Sequence, residues 1–551
     1  MNGLLTIYKK QESSSTLLRQ QLNKGLKSLS HRGSNICTSF LINKEDQVTP
    51  VVLDLDQSFS HQGRANTNVA PNSDIPKTFS PKHSQGNLFP SYMFNENVQD
   101  TDSTETTAQI IMGSCSSQKN ESHIASHDGN ILFFEGRLLN KAELCKQLSI
   151  IPENNITDSA IVLQLLENGG TNCLKTLKGF WSLIYFDCIN KYIYGARDHF
   201  GNRTMYFCNT NSQFALASES RTLYSLFKDA RRINKNTVTD FLLWGNIGQM
   251  DQYFFNDILS IEPSHFVKFE IDTNSLTVEP YFTLPYNHSK MAYSKITEQQ
   301  YINKFRSFLS DSVRDNIGLF VGAIAVGVSG GMDSSSLICT AKKTNPDRTL
   351  VAYTATDNYD GGEANWAEMI VRHTGAEWIK VVCTPEHIIE KLDTVNRVHS
   401  TPLYNASSLA QFRIMEEIKK QGQVTFLDGQ GGDELLGGYP AYFPLFLKSL
   451  RKNGEWRSWW NELSKVDNTG MTKKEIYTRR LKLWAKAHYY KPKILAQKKR
   501  RYEFESLMPQ IRDKYFKQPS PLPQIKKDIL NDALFENYTV FLGNILRWGE
   551  H

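Results

Sequence analysis

GAIAVGVSGGMDSSSLICTAKKT, residues 322–344, is the stretch that decides the fold. Its first seven residues form the continuous apolar run expected of a strand buried on both faces. Two glycines break the run, and SSSLICTAKKT (334–344) then reads as a helix. Upstream, YINKFRSFLSDSVRDNIG (301–318) has helical spacing. Downstream come a strand, TLVAYTAT (349–356), a helix, EANWAEMIVRHTG (363–375), and a strand, WIKVVCT (378–384). This alternation predicts an α/β unit: a doubly wound parallel sheet with right-handed crossovers and helices on both faces. A further apolar strand leads into a second glycine turn in VTFLDGQGGDELLGGY (424–439).

The first turn runs Val328-Ser329-Gly330-Gly331-Met332-Asp333-Ser334. Glycines let backbone amides approach an oxyanion, and the following helix adds its free N–H groups and positive dipole end. Asp333 beside such an anion site calls for a bridging cation, and Mg²⁺ suits carboxylate together with phosphate. No lysine follows the glycines, so this is not the GxxxxGK[ST] loop. The loop is expected to hold a leaving pyrophosphate. Read alone, Ser-Gly-Gly is also an ordinary capped turn; its place between a buried strand and a helix favours the anion site. The second turn carries Asp428, Asp433 and Glu434. Ligands of doubly wound sheets sit beyond the carboxyl ends of the strands, so both turns are expected to face one cleft, with Asp333 and Asp433 sharing the metal.

The first half has a different grammar. LLTIY (4–8), ILFFEGRLL (131–139), FWSLIYFD (180–187), KYIYGARD (191–198) and QFALASES (213–220) read as strands. LLRQQLNKGLKSLSH (17–31) and DSAIVLQLLENGG (158–170) read as helices. Between about 60 and 127, Asn, Ser, Thr, Gln and Pro dominate, a composition that predicts a disordered insert. From about 446 to 501 the chain is helical in pattern and basic, with Trp456, Trp459, Trp460 and Trp484 interleaved. Buried tryptophans under a solvated basic face explain that pattern better than base stacking.

At 551 residues the chain exceeds one core, at ~100–200 residues per domain. The first residues lack the basic and apolar regions of a secretory signal, and no apolar run reaches membrane-spanning length. The eight cysteines are scattered without zinc spacing, which predicts reduced thiols and a cytoplasmic location. A net charge of +6 permits an anionic partner without demanding one.

The pairing of SGGMDSSS with GQGGDELLGGY resembles the synthetase domain of glutamine-hydrolysing asparagine synthetases, and equally that of β-lactam synthetases and lasso-peptide cyclases. The likeness extends over nearly the whole chain. It includes MNGLLTIY, HRG (31–33), FFEGRLLN (133–140), TDSAIVLQLL, LKGFWSLIYFD, GARDHFGNRTMYF, LASESRTLYSL and DILSIEPSHFVKFE (257–270). It implies an N-terminal-nucleophile-type α+β sandwich over 1–225, a linker over 226–295, and an ATP-pyrophosphatase domain over 296–551. Carried over by position, Ser329, Gly330, Gly331 and Ser334 would grip pyrophosphate, while Asp333 and Asp433 would hold Mg²⁺. Val328, Thr354, Asp428 and Gly429 would surround the adenosine end of ATP. Gln430 and Glu363 would lie beside the reacting acyl-adenylate.

Several positions depart from the family pattern. Asn2 stands where glutaminase-active members have cysteine, and a carboxamide is no nucleophile. Glu135 replaces the Asn whose amide steadies the oxyanion, and a carboxylate opposes that charge. Gly136, Asp158 and Arg64 would remain as remnants of a degenerate glutaminase site. Gln430 stands where asparagine synthetases keep a glutamate. NILRWGEH (544–551) resembles a family segment that precedes a transition-state lysine, so the resemblance implies a chain cut short at its C-terminus.

The expected function is an ATP-dependent amide-bond-forming ligase, releasing AMP and pyrophosphate, with macrolactam formation of the lasso type first. Its partners would be a small-molecule or peptide carboxylate, with a precursor peptide and its processing protease; neither membrane nor nucleic acid is expected. Asparagine synthesis from aspartate, with glutamine or ammonia, is the runner-up. A non-catalytic nucleotide-binding relative is the alternative from another class.

Overall fold

The computed structural model describes residues 2–29, 36–43, 48–50, 107–116, 123–151, 156–244, 253–284, 297–318, 320–356, 363–403, 407–423, 425–440 and 442–464, with 478, 481–482 and 534. They fall into two compact units, Met1–Thr237 with Gly248–Thr283, and Val238–Ile247 with Leu284–Gly549.

The first unit opens with β1 (Asn2–Ser14), α1 (Ser15–Ser28), β2 (Ile36–Ile42), β3 (Val48–Pro50) and β4 (Thr107–Ser116). It continues with β5 (Ile124–His127), β6 (Asn130–Leu138), α2 (Lys141–Gln147), α3 (Asp158–Gly169), β7 (Gly179–Asp187) and β8 (Tyr192–Arg197). Then come β9 (Tyr206–Asn209), β10 (Gln213–Ala217), α4 (Ser220–Leu226), β11 (Ile258–Ser260), β12 (His265–Glu270) and β13 (Ser275–Pro280), while α5 (Lys235–Trp244) starts in this unit and runs into the second after Thr237.

Two antiparallel sheets result, ordered β11-β9-β10-β1-β4-β2-β3 and β13-β12-β8-β7-β6-β5. The period-2 alternation of strand side chains sorts β1 into two faces. Leu4 and Tyr8 join Phe133, Ile184, Phe214 and Phe269 in the core between the sheets. Leu5 faces the other way, towards Gly25 of α1, where an added Cβ would collide with the Leu5 side chain. On the far side of the second sheet, Leu132, Phe134, Trp181 and Leu183 pack with Leu144 of α2 and Ile161 and Leu165 of α3. The unit is therefore a helix–sheet–sheet–helix sandwich of the N-terminal-nucleophile type.

Two expectations need correcting. Residues 226–295 are not simply a linker: β11, β12 and β13 add strands to both sheets. Phe266, Val267 and Phe269 of β12 are buried in its cores, and that burial stabilises β12 as a strand. Nor is the polar segment 60–127 an insert throughout, because it contains β4 and β5. β4 pairs with both β1 and β2, and its Ile110, Ile111 and Met112 are buried. The rest of that segment lies outside the described residues, apart from His123.

The second unit follows the predicted alternation. It runs α6 (Glu298–Gly318), β14 (Ile324–Gly327), α7 (Met332–Thr344), β15 (Leu350–Thr356), α8 (Glu363–Thr374) and β16 (Glu377–Val382). Next come α9 (Pro385–His399), α10 (Ser407–Lys420), β17 (Phe426–Leu427), α11 (Gly432–Leu436), α12 (Tyr442–Lys452) and α13 (Trp456–Ser464). All strand pairings in the sheet are parallel, in the order β16-β15-β14-β17. One face packs Ile324, Val326 and Val328 against Val313 and Ile317 of α6 and Ile338 and Ala341 of α7. The other packs Ala325, Val351 and Tyr353 against Ile414, Met415 and Ile418 of α10. Because the chain leaves β14 for β15 on one side and returns to β17 on the other, the order reverses between β14 and β17. A crevice opens at such a reversal.

Of the basic tryptophan-bearing segment, α12 and α13 are described. Trp459 is buried with Leu447, Leu450 and Leu463, while Trp456 and Trp460 are exposed. Among the described residues no helix is long and apolar enough to cross a membrane.

Candidate active site

Everything at the crevice hangs on the ends of β14 and β17. Their register pairs Ala325 with Phe426 and Val326 with Leu427, so the two chains leave the sheet side by side. Gly327 has no side chain where the Phe426 ring packs: an added Cβ would stand 3.0 Å from that ring. The glycine turns therefore start as neighbours and stay in contact. A Cβ on Gly429 would lie 3.4 Å from the Ser334 backbone nitrogen and 3.5 Å from Asp333 Cβ. One on Gly432 would collide with the Asp333 carboxylate. The structure brings 329–334 and 428–434 together.

The first turn is closed by its own serines. Ser329 N–H donates to Ser334 Oγ at 3.2 Å, and Gly331 N–H to Ser329 Oγ at 3.2 Å. Ser334 Oγ lies 3.2 Å from both the Gly331 carbonyl and Ser329 Oγ. Gly330, at φ +83°, makes the sharp reversal that only glycine adopts without strain. α7 then begins at Met332 with Gly331 at its N-cap and no side-chain cap, leaving its first-turn amides to the crevice. An incoming anion would exchange hydrogen bonds with the serines and meet the uncapped amides at the start of α7.

Three carboxylates gather here. Asp333 has its pKa raised, first by loss of water around it and then by the charges of Asp433 and Glu434. Two neighbouring negative charges oppose a third, the situation a cation or a proton relieves. Glu434 is buried and accepts from Tyr439 Oη at 2.5 Å; burial and that carboxylate push the Tyr439 hydroxyl up. The Asp433 carboxylate folds back on Gly438, where a Cβ would collide with it. Among the described residues no group of three or more His, Cys, Asp or Glu forms a metal cage. The donor set fits Mg²⁺, which takes one or two carboxylates and completes its shell with phosphate and water.

Asp428 sits at the rim of the second turn. Its surface reaches solvent, yet the protein packed about its carboxyl raises its pKa, against the pull of the Gly429 N–H at 2.7 Å. Gln411 of α10 donates to its other oxygen at 3.2 Å. Gln430 is exposed within the turn. Val328 is buried, and its N–H donates to the Tyr353 carbonyl at 2.9 Å, continuing the ladder past β14. Thr354 is 3% exposed, donates to the Val328 carbonyl at 2.7 Å and accepts from Trp378 Nε1 at 2.9 Å. Its hydroxyl proton is thus committed, and it offers a ligand shape more than a hydrogen bond. Glu363 begins α8; its side chain lies outside the described residues. Gln411 and Trp378 carry no sequence signal of their own. Each is found only through the residue it touches.

In the first unit, Asn2 opens β1 opposite Ser116 of β4. Glu135 is buried in β6 and accepts from Ser218 Oγ at 3.2 Å, and the same Ser218 oxygen receives the Leu4 N–H at 3.0 Å. Gly136, at φ +137°, lies so close to β7 that a Cβ would strike the Phe180 carbonyl. Asp158, in the first turn of α3, is already engaged: it accepts from Leu138 N–H at 3.0 Å and faces Lys141 Nζ at 3.4 Å. Arg64 and the HRG residues 31–33 lie outside the described residues.

Known families match both halves. The asparagine synthase model matches residues 304–537 and the glutamine amidotransferase domain model residues 116–282. Asparagine synthetase [glutamine-hydrolyzing] 1 of Bacillus subtilis is 24% identical over 328 residues, covering 58% of this chain and 50% of that protein. Putative asparagine synthetase [glutamine-hydrolyzing] 2 of Methanocaldococcus jannaschii is 24% identical over 318 residues, covering 57% and 59%. The chain thus spans about half the length of the curated relatives it matches. The solved glutamine phosphoribosylpyrophosphate amidotransferase from B. subtilis covers 79% of this chain and 92% of its own at 13% identity, with a TM-score of only 0.32. With its two glycine turns joined at the β14–β17 reversal, this chain carries an asparagine synthase domain over residues 304–537, preceded by a glutamine amidotransferase domain over residues 116–282.

Proposed function

We propose that this protein is an ATP-dependent ligase that adenylates a carboxylate and transfers the acyl group to an amine, releasing AMP and pyrophosphate. The contact between the two turns, with the Asp333 carboxylate against Gly432, carries this reading. It supports one nucleotide gripped from both sides. Ser329, Ser334 and the Gly330–Gly331 backbone would take the pyrophosphate, exchanging their mutual hydrogen bonds for phosphate oxygens. Val328, Thr354, Asp428 and Gly429 would line the adenosine end. Asp333 and Asp433 would hold Mg²⁺, which would neutralise charge as pyrophosphate departs. The substrate carboxylate attacks the α-phosphorus, and an amine then displaces AMP from the acyl-adenylate. Gln430 can orient that amine by hydrogen bonding but cannot take its proton as a carboxylate would.

The amine is best supplied by the substrate itself, as in macrolactam closure of a peptide. Asn2 is no nucleophile, and Glu135 puts a carboxylate at the position matching the family's oxyanion-stabilising Asn. Large apolar side chains flank the two turns, with Met332 84% and Leu435 61% exposed, which suits a peptide better than free aspartate. Asparagine formation is the second reading, favoured by the names of the curated relatives. The test is ATP–pyrophosphate isotope exchange with aspartate and with peptides carrying a free carboxylate. Exchange with peptides only supports macrolactam closure, and exchange with aspartate supports the second reading. ATP binding without exchange on any carboxylate leaves a non-catalytic nucleotide binder.

A further inference from the structure

We infer that Trp378 is a positioning residue for the first glycine turn, acting from two strands away through an unbroken line of hydrogen bonds. The line starts at β16, where the indole Nε1–H of Trp378 donates to Thr354 Oγ1 on β15 at 2.9 Å. Thr354 passes its own proton to the Val328 carbonyl, 2.7 Å away at the end of β14. That carbonyl belongs to the peptide group joining Val328 to Ser329. The other end of the same group, Ser329 N–H, donates to Ser334 Oγ at 3.2 Å, and Ser334 Oγ in turn lies 3.2 Å from the Gly331 carbonyl.

Every donor in the line points the same way. Bonds aligned like this polarise one another, so each is stronger than it would be alone. Geometrically, the peptide group on which the turn begins is pinned at both its oxygen and its nitrogen. A pinned plane leaves the turn one orientation. Released at the oxygen, it could rotate, and Ser329 would lose its fixed register against α7. The tryptophan is itself held in place. Its ring is partly buried against the β15 side of the sheet, and Lys380 Nζ lies 4.2 Å from the ring centroid. No nucleotide needs to touch Trp378 for it to matter.

The inference rests on the proposed nucleotide site for its functional half and on the hydrogen bonds alone for its structural half, so the experiment reads both. Hydrogen–deuterium exchange on the ligand-free protein follows the 328–334 amides in wild type, W378F and T354V. T354V is nearly isosteric and serves if W378F fails to fold. The turn amides are expected to exchange roughly 10-fold faster in both variants, as loss of one net hydrogen bond allows, while the β14 and β15 amides are unchanged. T354S, which keeps the hydroxyl, should restore the wild-type exchange rate. In parallel, ATP affinity is measured with Mg²⁺ present, and it should weaken roughly 3- to 10-fold in each variant. In the double variant it should weaken no further, because both changes cut one line. Unchanged turn exchange in W378F and T354V, or fully additive losses of affinity, overturns the positioning role. Faster turn exchange together with no ATP binding by wild type supports the positioning role and rejects the nucleotide site instead.

Discussion

Asp333 shows how much one side chain reveals when its neighbours are known. In sequence it reads as a carboxylate beside an expected anion-binding turn, a pairing that calls for a cation. In the fold it meets Asp433 and Glu434, which raise its pKa beyond the effect of lost water. With its folded pKa above the ordinary 3.8, the folded state keeps the proton longer than the unfolded chain does. The ligand-free protein therefore loses stability as pH rises from about 3.8 through the folded value. Replacing Asp333 by Asn should flatten that part of the stability–pH curve and raise neutral-pH stability of the ligand-free protein, measured by denaturant melts. The same change should cut ATP–pyrophosphate exchange by about 100-fold or more, the scale of losing one electrostatic stabiliser in a closed site. A D333N protein with full exchange would remove the metal role.

Elements explain why some of this was legible and some was not. β14 and its turn announced themselves because an apolar run and a glycine pair are local signals. β15, α8 and β16 followed by alternation, and α1 and α3, two of the helices of the sandwich, by their spacing. β4 and β5 did not: ten strand residues between polar stretches are outweighed by the composition around them, and only pairing with β1 and β2 gives β4 its burial. β12 was missed for a similar reason, since its partners β8 and β13 had to be known first. At the site, SGGMDSSS and DGQGGDE marked the two turns, whereas their junction depends on a strand register that no motif encodes. Gly432 tests that junction. Gly432→Ala drives a methyl into the Asp333 carboxylate, so exchange activity should fall at least ~10-fold. The thermal midpoint should drop by only a few degrees, because the residue lies at a helix start outside both cores. Wild-type activity in G432A would place the two turns farther apart than described.

At the scale of the whole chain, two units carry two family patterns, and Asn2 and Glu135 lead us to expect no glutamine hydrolysis from the first. The glutaminase position at 135 holds a buried carboxylate tied to Ser218, and Asp158 is spent on Leu138 and Lys141. Incubation with glutamine should release no glutamate above the uncatalysed background, read by a coupled dehydrogenase assay. Pyrophosphate exchange on the correct carboxylate should be indifferent to glutamine. Glutamate release at enzymatic rates would reinstate the first unit as a catalyst and favour asparagine formation. Trp459 of α13, buried against Leu447 and Leu450 of α12, belongs to a core, so Trp459→Ala should cost about 3–5 kcal/mol in unfolding free energy.

The second turn is anchored by β17, which is only two residues long and forms the outer strand of its sheet as described. A strand so brief is the weakest seam in the clasp, joined to β14 by a single short ladder. Local opening there would part the two jaws without disturbing the rest of the sheet. Bound nucleotide, touching both jaws, should close that seam and shield the 421–431 backbone from a protease, so that cleavage within it slows in proportion to nucleotide occupancy. Product escape would then be governed by how often two residues let go.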